Sequence, residues 1–300
     1  VPELPDIENY VDALTARVSG TVILEATVND PFVLRTAVPP LEAVNAQRVT
    51  AIERIGKRIA IGLGNDIWLV FHLMIAGRLH WHPKPPKPAR RRLVLLRFDT
   101  GTLSLTEAGT RRRASLHVVP NREALDALDP GGVEIFGTNT AELIERMTRT
   151  NHTLKRALTD PRILSGIGNA YSDEILHRAR LSPVRLTRSL SRSDLERLLE
   201  CARAVLSEWK TRLTPDDGAF PEKVTAFREG MAVHGRYGQP CPVCGTTVQR
   251  IRYASNETNY CPRCQTDGKL LADRSLSRLL RSDWPKSIDE LERLQLPRRR

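Results

Sequence analysis

Apolar residues at Ile7, Val11, Leu14 and Val18 recur at intervals of three and four, the period that lines one face of a helix, and Gly20 stands where that helix would end. Ahead of it, Val1-Pro2-Glu3-Leu4-Pro5-Asp6 carries two prolines in six positions, which keeps the stretch out of a helix interior or a central strand. From Thr21 to Val119 the period shortens to that of strands. TVILEATV, RVTAIERI, KRIAIGLG, DIWLVFHL, RRLVLLRF and TLSLT alternate or run apolar, with Asn65-Asp66 and Asp99-Thr100-Gly101 as turns. Several short strands within about 100 residues predict a sandwich or barrel. PKPPKPARRR, from Pro83 to Arg92, interrupts them as an exposed basic loop.

Asp129-Pro130-Gly131-Gly132 opens a linker, and the pattern then turns helical. Ser193-Asp194-Leu195-Glu196 predicts a capping box heading a helix whose Leu195, Leu198, Leu199, Ala202, Val205, Leu206 and Trp209 share one face. Cys201, at the edge of that stripe, reads as a small half-buried apolar residue. No internal repeat is visible. The expected architecture is multidomain α+β. Residues 1–130 form a β-sandwich with an N-terminal helix, 131–235 a helical domain, 236–268 a small zinc-finger β-hairpin and 269–300 a C-terminal extension. Within the extension Ser287 to Glu290 is a second capping box.

Charge narrows the range of partners. Against 35 Asp and Glu stand 46 Lys and Arg, a net charge of +11 at pH 7, so the surface favours a polyanion. No run approaches the roughly 18 apolar residues of a membrane span, and no basic-then-apolar signal segment opens the chain. The chain therefore reads as cytoplasmic, with no membrane partner. Nothing in the pattern calls for an obligate oligomer, and a monomer is expected.

Three local motifs carry chemistry. Cys241-Pro-Val-Cys244 is followed after sixteen residues by Cys261-Pro-Arg-Cys264. Two such pairs let four thiolates meet around one tetrahedral Zn²⁺, and with all four positions filled the site is closed and structural. Gly166-Ile-Gly168-Asn169-Ala-Tyr171-Ser-Asp173-Glu174 precedes a helix expected to run to Arg180; two glycines and an Asn at a helix start can present free amides to an anion such as a backbone phosphate. Alone, such a stretch is more often a helix cap. At the N-terminus, Pro2 would offer a free secondary amine if Val1 is absent from the mature chain, as it would be where a valine start codon is read as Met and trimmed. An α-amino group titrates near neutrality, at roughly 7.7–8.0, and can attack an aldehyde carbon. Glu3 is then the adjacent proton carrier. Gly56-Lys57-Arg58, at a strand start, places a lysine that matters only if the fold brings it to that amine.

Together and in this order, these elements resemble the bacterial formamidopyrimidine-DNA glycosylase and endonuclease VIII family of base-excision repair. PELPD is similar to that family's PELPE, and GIGNAYSDE to its helix–two-turn–helix signature. GK before a strand resembles its lysine-bearing turn, and CPVC…YCPRCQ its C-terminal zinc finger. The resemblance spans roughly residues 2–265. It implies a bifunctional glycosylase and abasic-site lyase acting on damaged double-stranded DNA in a bacterial nucleoid, with Pro2 attacking C1′, Glu3 transferring protons and Lys57 assisting elimination. Asn169 would hold backbone phosphate, and Cys241, Cys244, Cys261 and Cys264 would bind one zinc. Leu4, where the pyrimidine-directed branch has Gly, points to oxidised purines, formamidopyrimidine and 8-oxoguanine.

Some positions depart from the family pattern. His72-Leu-Met74-Ile75-Ala-Gly77 places Ile75 in register with the family's probing Met and Met74 one residue earlier, so either is expected to fill the gap left by a flipped base. Thr110-Arg111-Arg112-Arg113 keeps an Arg pair that would contact DNA but lacks the family's aromatic wedge. Asn256 occupies the place of a phosphate-contacting Arg, which favours β-elimination alone over a double elimination. The stretch 211–228 lacks the family's glycine-rich damage-capping loop. Two other readings stand beside the leading one: an endonuclease VIII-like glycosylase for oxidised pyrimidines, and a non-catalytic lesion-binding protein on the same scaffold. A ribosomal zinc-ribbon protein would explain the charge and cysteines but not PELPD.

Overall fold

The computed structural model describes residues 2–87, 89–108, 112–222, 224, 228–253, 256–272 and 284–295. The chain divides into two compact units, Val1–Gly132 with Leu206–Ala226, and Val133–Val205 with Phe227–Arg300. The first boundary falls within the Asp129-Pro130-Gly131-Gly132 linker, where Gly131 takes a positive φ.

In the first unit, helix α1 (Leu4–Val18) starts with Pro5 in its first turn, where a missing N–H costs nothing. Ile7, Leu14 and Val18 of its predicted stripe are fully inaccessible, Val11 is half-buried, and Leu4 and Tyr10, also inaccessible, widen the buried face. Eight strands follow: β1 (Ile23–Val28), β2 (Val49–Ile55), β3 (Arg58–Leu63), β4 (Trp68–His72), β5 (Gly77–His82), β6 (Arg92–Phe98), β7 (Thr102–Glu107) and β8 (Ser115–Val119). They form two antiparallel four-stranded sheets, ordered β1-β6-β7-β5 and β2-β3-β4-β8. This is the β-sandwich that the period-two pattern predicts. Apolar side chains from both sheets and from α1 make one continuous core, including Ile59, Ile61, Leu69 and Phe71 from one sheet and Leu79, Leu96, Leu103 and Leu105 from the other. Helix α1 packs on β2 and β3, and Glu8 lies 3.6 Å from Arg54.

Two of the eight strands are absent from the sequence-predicted set. β5 reads Gly-Arg-Leu-His-Trp-His, with polar residues on one face and few apolar ones to mark the period; β8 is only five residues long. Their assignment comes from pairing, β5 with β7 and β8 with β4.

The second unit is helical: α3 (Thr140–Thr148), α4 (Leu154–Thr159), α5 (Asn169–Arg178) and the greater part of α6 (Arg192–Leu213), with the short α2 (Arg122–Asp126) lying before the boundary. α5 ends two residues earlier than predicted, because Arg180 adopts a left-handed φ of 53°. The cap of α6 also shifts. Ser191, not Ser193, accepts the Asp194 amide, at 3.1 Å. Ser191-x-x-Asp194 has the same spacing as the predicted box, and it brings the Asp194 carboxylate into the first turn, at the positive end of the helix dipole. Strands β9 (Gln249–Tyr253) and β10 (Asn256–Tyr260) form the C-terminal hairpin, followed by α7 (Pro262–Gln265) and α8 (Ile288–Gln295). Ser287 caps α8 by accepting the Glu290 amide, as predicted, although the Glu290 carboxylate reaches back to the amide of Lys286. Among the described residues no helix is long and apolar enough to cross a membrane.

Candidate functional site

Pro2 and Glu3 are buried at the head of α1. Glu3 is the residue at which the chain enters the helix, in extended conformation, and its amide donates to the Asp6 carboxylate at 2.8 Å. Asp6 is itself 5% exposed, so this bond is shielded and fixes the backbone on which Pro2 and Glu3 are carried. Sequence reasoning gave Asp6 no role. The signal was present in the Glu3-x-x-Asp6 spacing, which is that of a capping pair.

Lys57 is half-buried in the two-residue turn between β2 and β3, whose register pairs Ile55 with Arg58. Gly56 supplies the φ of 57° that the first turn position needs. Because α1 packs on these same two strands, the helix that starts at Leu4 and the hairpin that bears Lys57 belong to the same packed sandwich. Beside them on β4, opposite Arg58, lies His72. Burial, reinforced by the positive charges of Arg58 and Lys57 and by His117, lowers its pKa to about 4. His72 is therefore a neutral imidazole at physiological pH, and it adds hydrogen-bonding capacity without adding charge.

The loop after β4 carries Met74 and Ile75. Its chain is folded back by a hydrogen bond from the Gly77 amide to the Leu73 carbonyl, 2.8 Å, and Met74 takes a left-handed φ of 52°. Met74 is half-buried, whereas Ile75 is 60% exposed at the tip. A Cβ at position 77 would lie 2.3 Å from the Leu73 oxygen and 3.0 Å from the Ala114 Cβ. Gly77→Ala is accordingly expected to open this loop and lower stability by about 1–3 kcal/mol, the range for forced overpacking. Thermal denaturation measures it, and an unchanged midpoint would contradict the geometry.

Arg112 stands in the neighbouring loop and is paired with Asp30, which holds the Asp30 carboxyl below its usual range. Glu107 fastens the same loop, accepting the amides of Arg113 at 2.9 Å and Ala114 at 3.1 Å while only 2% exposed. Arg111, and the side chain of Asn256, lie outside the described residues.

In the second unit the GIGN stretch turns at Gly166, φ 78°, and α5 begins at Asn169. The Asn169 side-chain amide donates to the Glu257 carbonyl on β10 at 2.8 Å, and Lys155 donates to the Asn169 carbonyl at 2.7 Å. Asn169 therefore ties the helix start to the hairpin. It also lines a groove of about 740 Å³ together with Asn151, His152, Lys155, Arg156 and Thr258, and the cations in that lining suit a phosphate backbone.

Asp173 and Glu174 carry roles that the sequence reading did not assign. Asp173, with no exposed surface, accepts from Lys155 Nζ at 2.5 Å, His234 Nδ1 at 2.8 Å and the Asn259 amide at 3.2 Å. Glu174 accepts the successive amides of Ala232, Val233 and His234 at 2.7, 2.9 and 2.9 Å. Buried carboxylates need such complete partnering. Here it locks α4, α5, the segment entering the zinc module and β10 into one piece. Two adjacent acids set between Ala170-Tyr171 and Ile175-Leu176 were the available sign.

The four sulfurs of Cys241, Cys244, Cys261 and Cys264 lie within 4.8 Å of one another. Individual separations are 3.3 Å for Cys244 to Cys261 and 4.0 Å for Cys241 to Cys264. A tetrahedron of Zn–S bonds of about 2.3 Å has edges of roughly 3.8 Å, so the donor set matches that ion in number, type and spacing. Burial pushes the Cys261 and Cys264 thiols above their ordinary range, and only a cation lets them coexist as thiolates. His177 on α5 reaches Cys241 Sγ with Nε2 at 3.3 Å. Burial and the nearby Arg180 and Arg178 charges lower the pKa of that imidazole, which favours its neutral form beside the sulfur.

Comparison with known proteins places these features in one frame. Residues 1–116 match the formamidopyrimidine-DNA glycosylase N-terminal domain, residues 133–210 the formamidopyrimidine-DNA glycosylase H2TH domain, and residues 238–266 the zinc finger found in FPG and IleRS. A formamidopyrimidine-DNA glycosylase of Exiguobacterium is 34% identical over 278 residues, covering 88% of this chain and 99% of the relative. A formamidopyrimidine-DNA glycosylase-like protein of Mycobacterium tuberculosis is 43% identical over 155 residues, 52% of this chain and 95% of that one. The crystal structure of the MutM (Fpg) protein of Thermus thermophilus superposes with a TM-score of 0.74 at 30% identity, covering 88% of this chain and 98% of the other.

Proposed function

Because the chain belongs to the formamidopyrimidine-DNA glycosylase family, we propose that it is a bifunctional DNA glycosylase and abasic-site lyase that removes oxidised purines from double-stranded DNA. The observation that carries this reading is the buried pair Pro2 and Glu3, held at the head of α1 by the Asp6 carboxylate and packed with the strands that present Lys57.

The chemistry follows from the groups themselves. Once the residue before it is gone, the Pro2 secondary amine attacks C1′ as the bond from C1′ to the base breaks, and a proton from Glu3 lets the sugar ring open. The product is an iminium, whose positive nitrogen acidifies the C2′ hydrogen. Removal of that proton expels the phosphate at C3′, and water then releases the amine. The strand is cut without hydrolysis of a phosphate ester. Lys57, half-buried on the hairpin whose strands pack against α1, is assigned the positive charge that assists departure of the phosphate. Zinc takes no part in these steps. It holds the hairpin that Asn169 and Asp173 join to the helix start. The groove lined by Lys155 and Arg156 receives the backbone, and extrusion of the base costs a few kcal/mol, least where pairing is already damaged.

With Asn256 in place of a cation, elimination stops after the first step and leaves an unsaturated aldehyde at the 3′ end. Duplexes carrying 8-oxoguanine, formamidopyrimidine or thymine glycol separate the substrate choices. Faster release and nicking of the two purine lesions is expected, and preferential attack on thymine glycol would move the protein to the pyrimidine-directed branch.

A further inference from the structure

Phe32 is 81% exposed, and isolated exposed apolar residues are ordinary on protein surfaces. What distinguishes this one is how firmly its backbone is held. It is the middle residue of the three-residue turn Pro31–Val33, and its amide donates to Asp30 Oδ1 at 3.1 Å. The other oxygen of Asp30 pairs with Arg112. On one side, Asn29 donates its amide to the Leu93 carbonyl at 2.9 Å. On the other, Val33 is buried in the core, Leu34 bridges Leu116, and the Arg35 amide donates to the Leu116 carbonyl at 2.9 Å. The ring thus projects from an anchored turn.

The location follows from strand register. Residues 34–36 run alongside the start of β8 in parallel, and the pair of Asp30 with Arg112 carries that proximity to the turn that bears Phe32. β8 pairs with β4, Ser115 opposite His72, so the loop bearing Met74 and Ile75 leaves the sandwich at that same end. Gly77 and Ala114 are in near contact there. Phe32, Arg112 and Ile75 therefore share one rim. Its charge is one-sided: Arg35, Arg90, Arg91, Arg112 and Arg113 are all exposed, while Asp30 is the one acid in the segments 29–36, 89–92 and 112–114 and is already paired. An aromatic ring fixed among cations matches a ligand that is both polyanionic and flat.

We propose that Phe32 is a wedge that stacks on a base of the duplex uncovered when the damaged nucleotide leaves the helix, with Arg112 and the neighbouring arginines seating the flanking phosphates. The assignment rests on the DNA-glycosylase reading and adds to it a DNA contact from the loop between β1 and β2. Stacking of this kind tolerates any base, since every base has a π-face.

The test compares Phe32→Ala and Phe32→Tyr with the wild-type chain on duplex DNA carrying a tetrahydrofuran abasic analogue, by fluorescence anisotropy, and on lesion-bearing duplex, by base release. Phe32→Ala is expected to bind the duplex roughly tenfold more weakly and to release the base more slowly, while Phe32→Tyr stays within about twofold of wild type, as an aromatic contact requires. Borohydride trapping on single-stranded abasic DNA, where there is no stack to enter, should be equal for all three. Wild-type affinity in Phe32→Ala, or an equal loss in Phe32→Tyr, would overturn the wedge. Failure of the wild-type chain to trap would instead overturn the lyase reading, with the affinity comparison still deciding Phe32. At so exposed a position neither variant disturbs the core, and equal thermal midpoints would verify that.

Discussion

Glu3→Gln is expected to lower base release from a lesion-bearing duplex by a factor of about 10² to 10⁴, the span that a positioned acid or base contributes, while the protein still forms a trapped adduct at an abasic site. The side chain is nearly isosteric and its backbone remains held by Asp6, so the fold is preserved. What disappears is the exchangeable proton. Base departure and ring opening need it, whereas an abasic sugar already equilibrates with its open aldehyde and presents C1′ to the amine unaided. Release assays and trapping on the same preparation separate the two steps. Equal loss of both would mean that Glu3 serves the amine rather than the leaving base.

Cys261→Ser is expected to abolish zinc binding and with it affinity for duplex DNA. Cys261 is fully buried among Val233, Cys241 and Val248, a cluster too small to fold on apolar burial alone. Zinc contributes about 10–16 kcal/mol to comparable fingers, so losing a ligand releases β9 and β10, and with them the contacts from Glu257 to Asn169 and from Asn259 to Asp173. Metal analysis should fall from one zinc per chain to none, and anisotropy should show duplex affinity falling by at least a hundredfold. Full duplex affinity in a zinc-free variant would remove the hairpin from the interface.

Much of this was legible in the order of residues because each element has a local signature. The α1 stripe needs only the 3.6 period, most strands only the period of two, and the cysteines only their spacing. Less legible was whatever depends on partners distant in sequence. β5 offers only Leu79 and Trp81 as large apolar residues to mark its period, and its other face bears His80 and His82, which bond to Thr106 and Ser104 on β7, so pairing reveals it. Asp173 and Glu174 sit within a stretch read as an anion nest, but apart from Lys155 the partners described above lie about 60 and 86 residues downstream, which no local pattern records. Arg112 was read from its motif as a DNA contact, and its pairing with Asp30, 82 positions away, has no local signature. Competing caps are another blind spot, since Ser191 and Ser193 offer equal spacing and the choice falls to the one that places Asp194 in the first turn.

The central claim is that the amine of Pro2 forms the covalent bond to DNA. Borohydride trapping on a duplex with a single abasic site, using protein whose first residue has been established by mass, followed by peptide mapping of the adduct, tests it most directly. One cross-link per chain, at Pro2, is the expected result. An adduct on Lys57 or elsewhere, or none from a chain that begins at Pro2 and binds the site tightly, would contradict it.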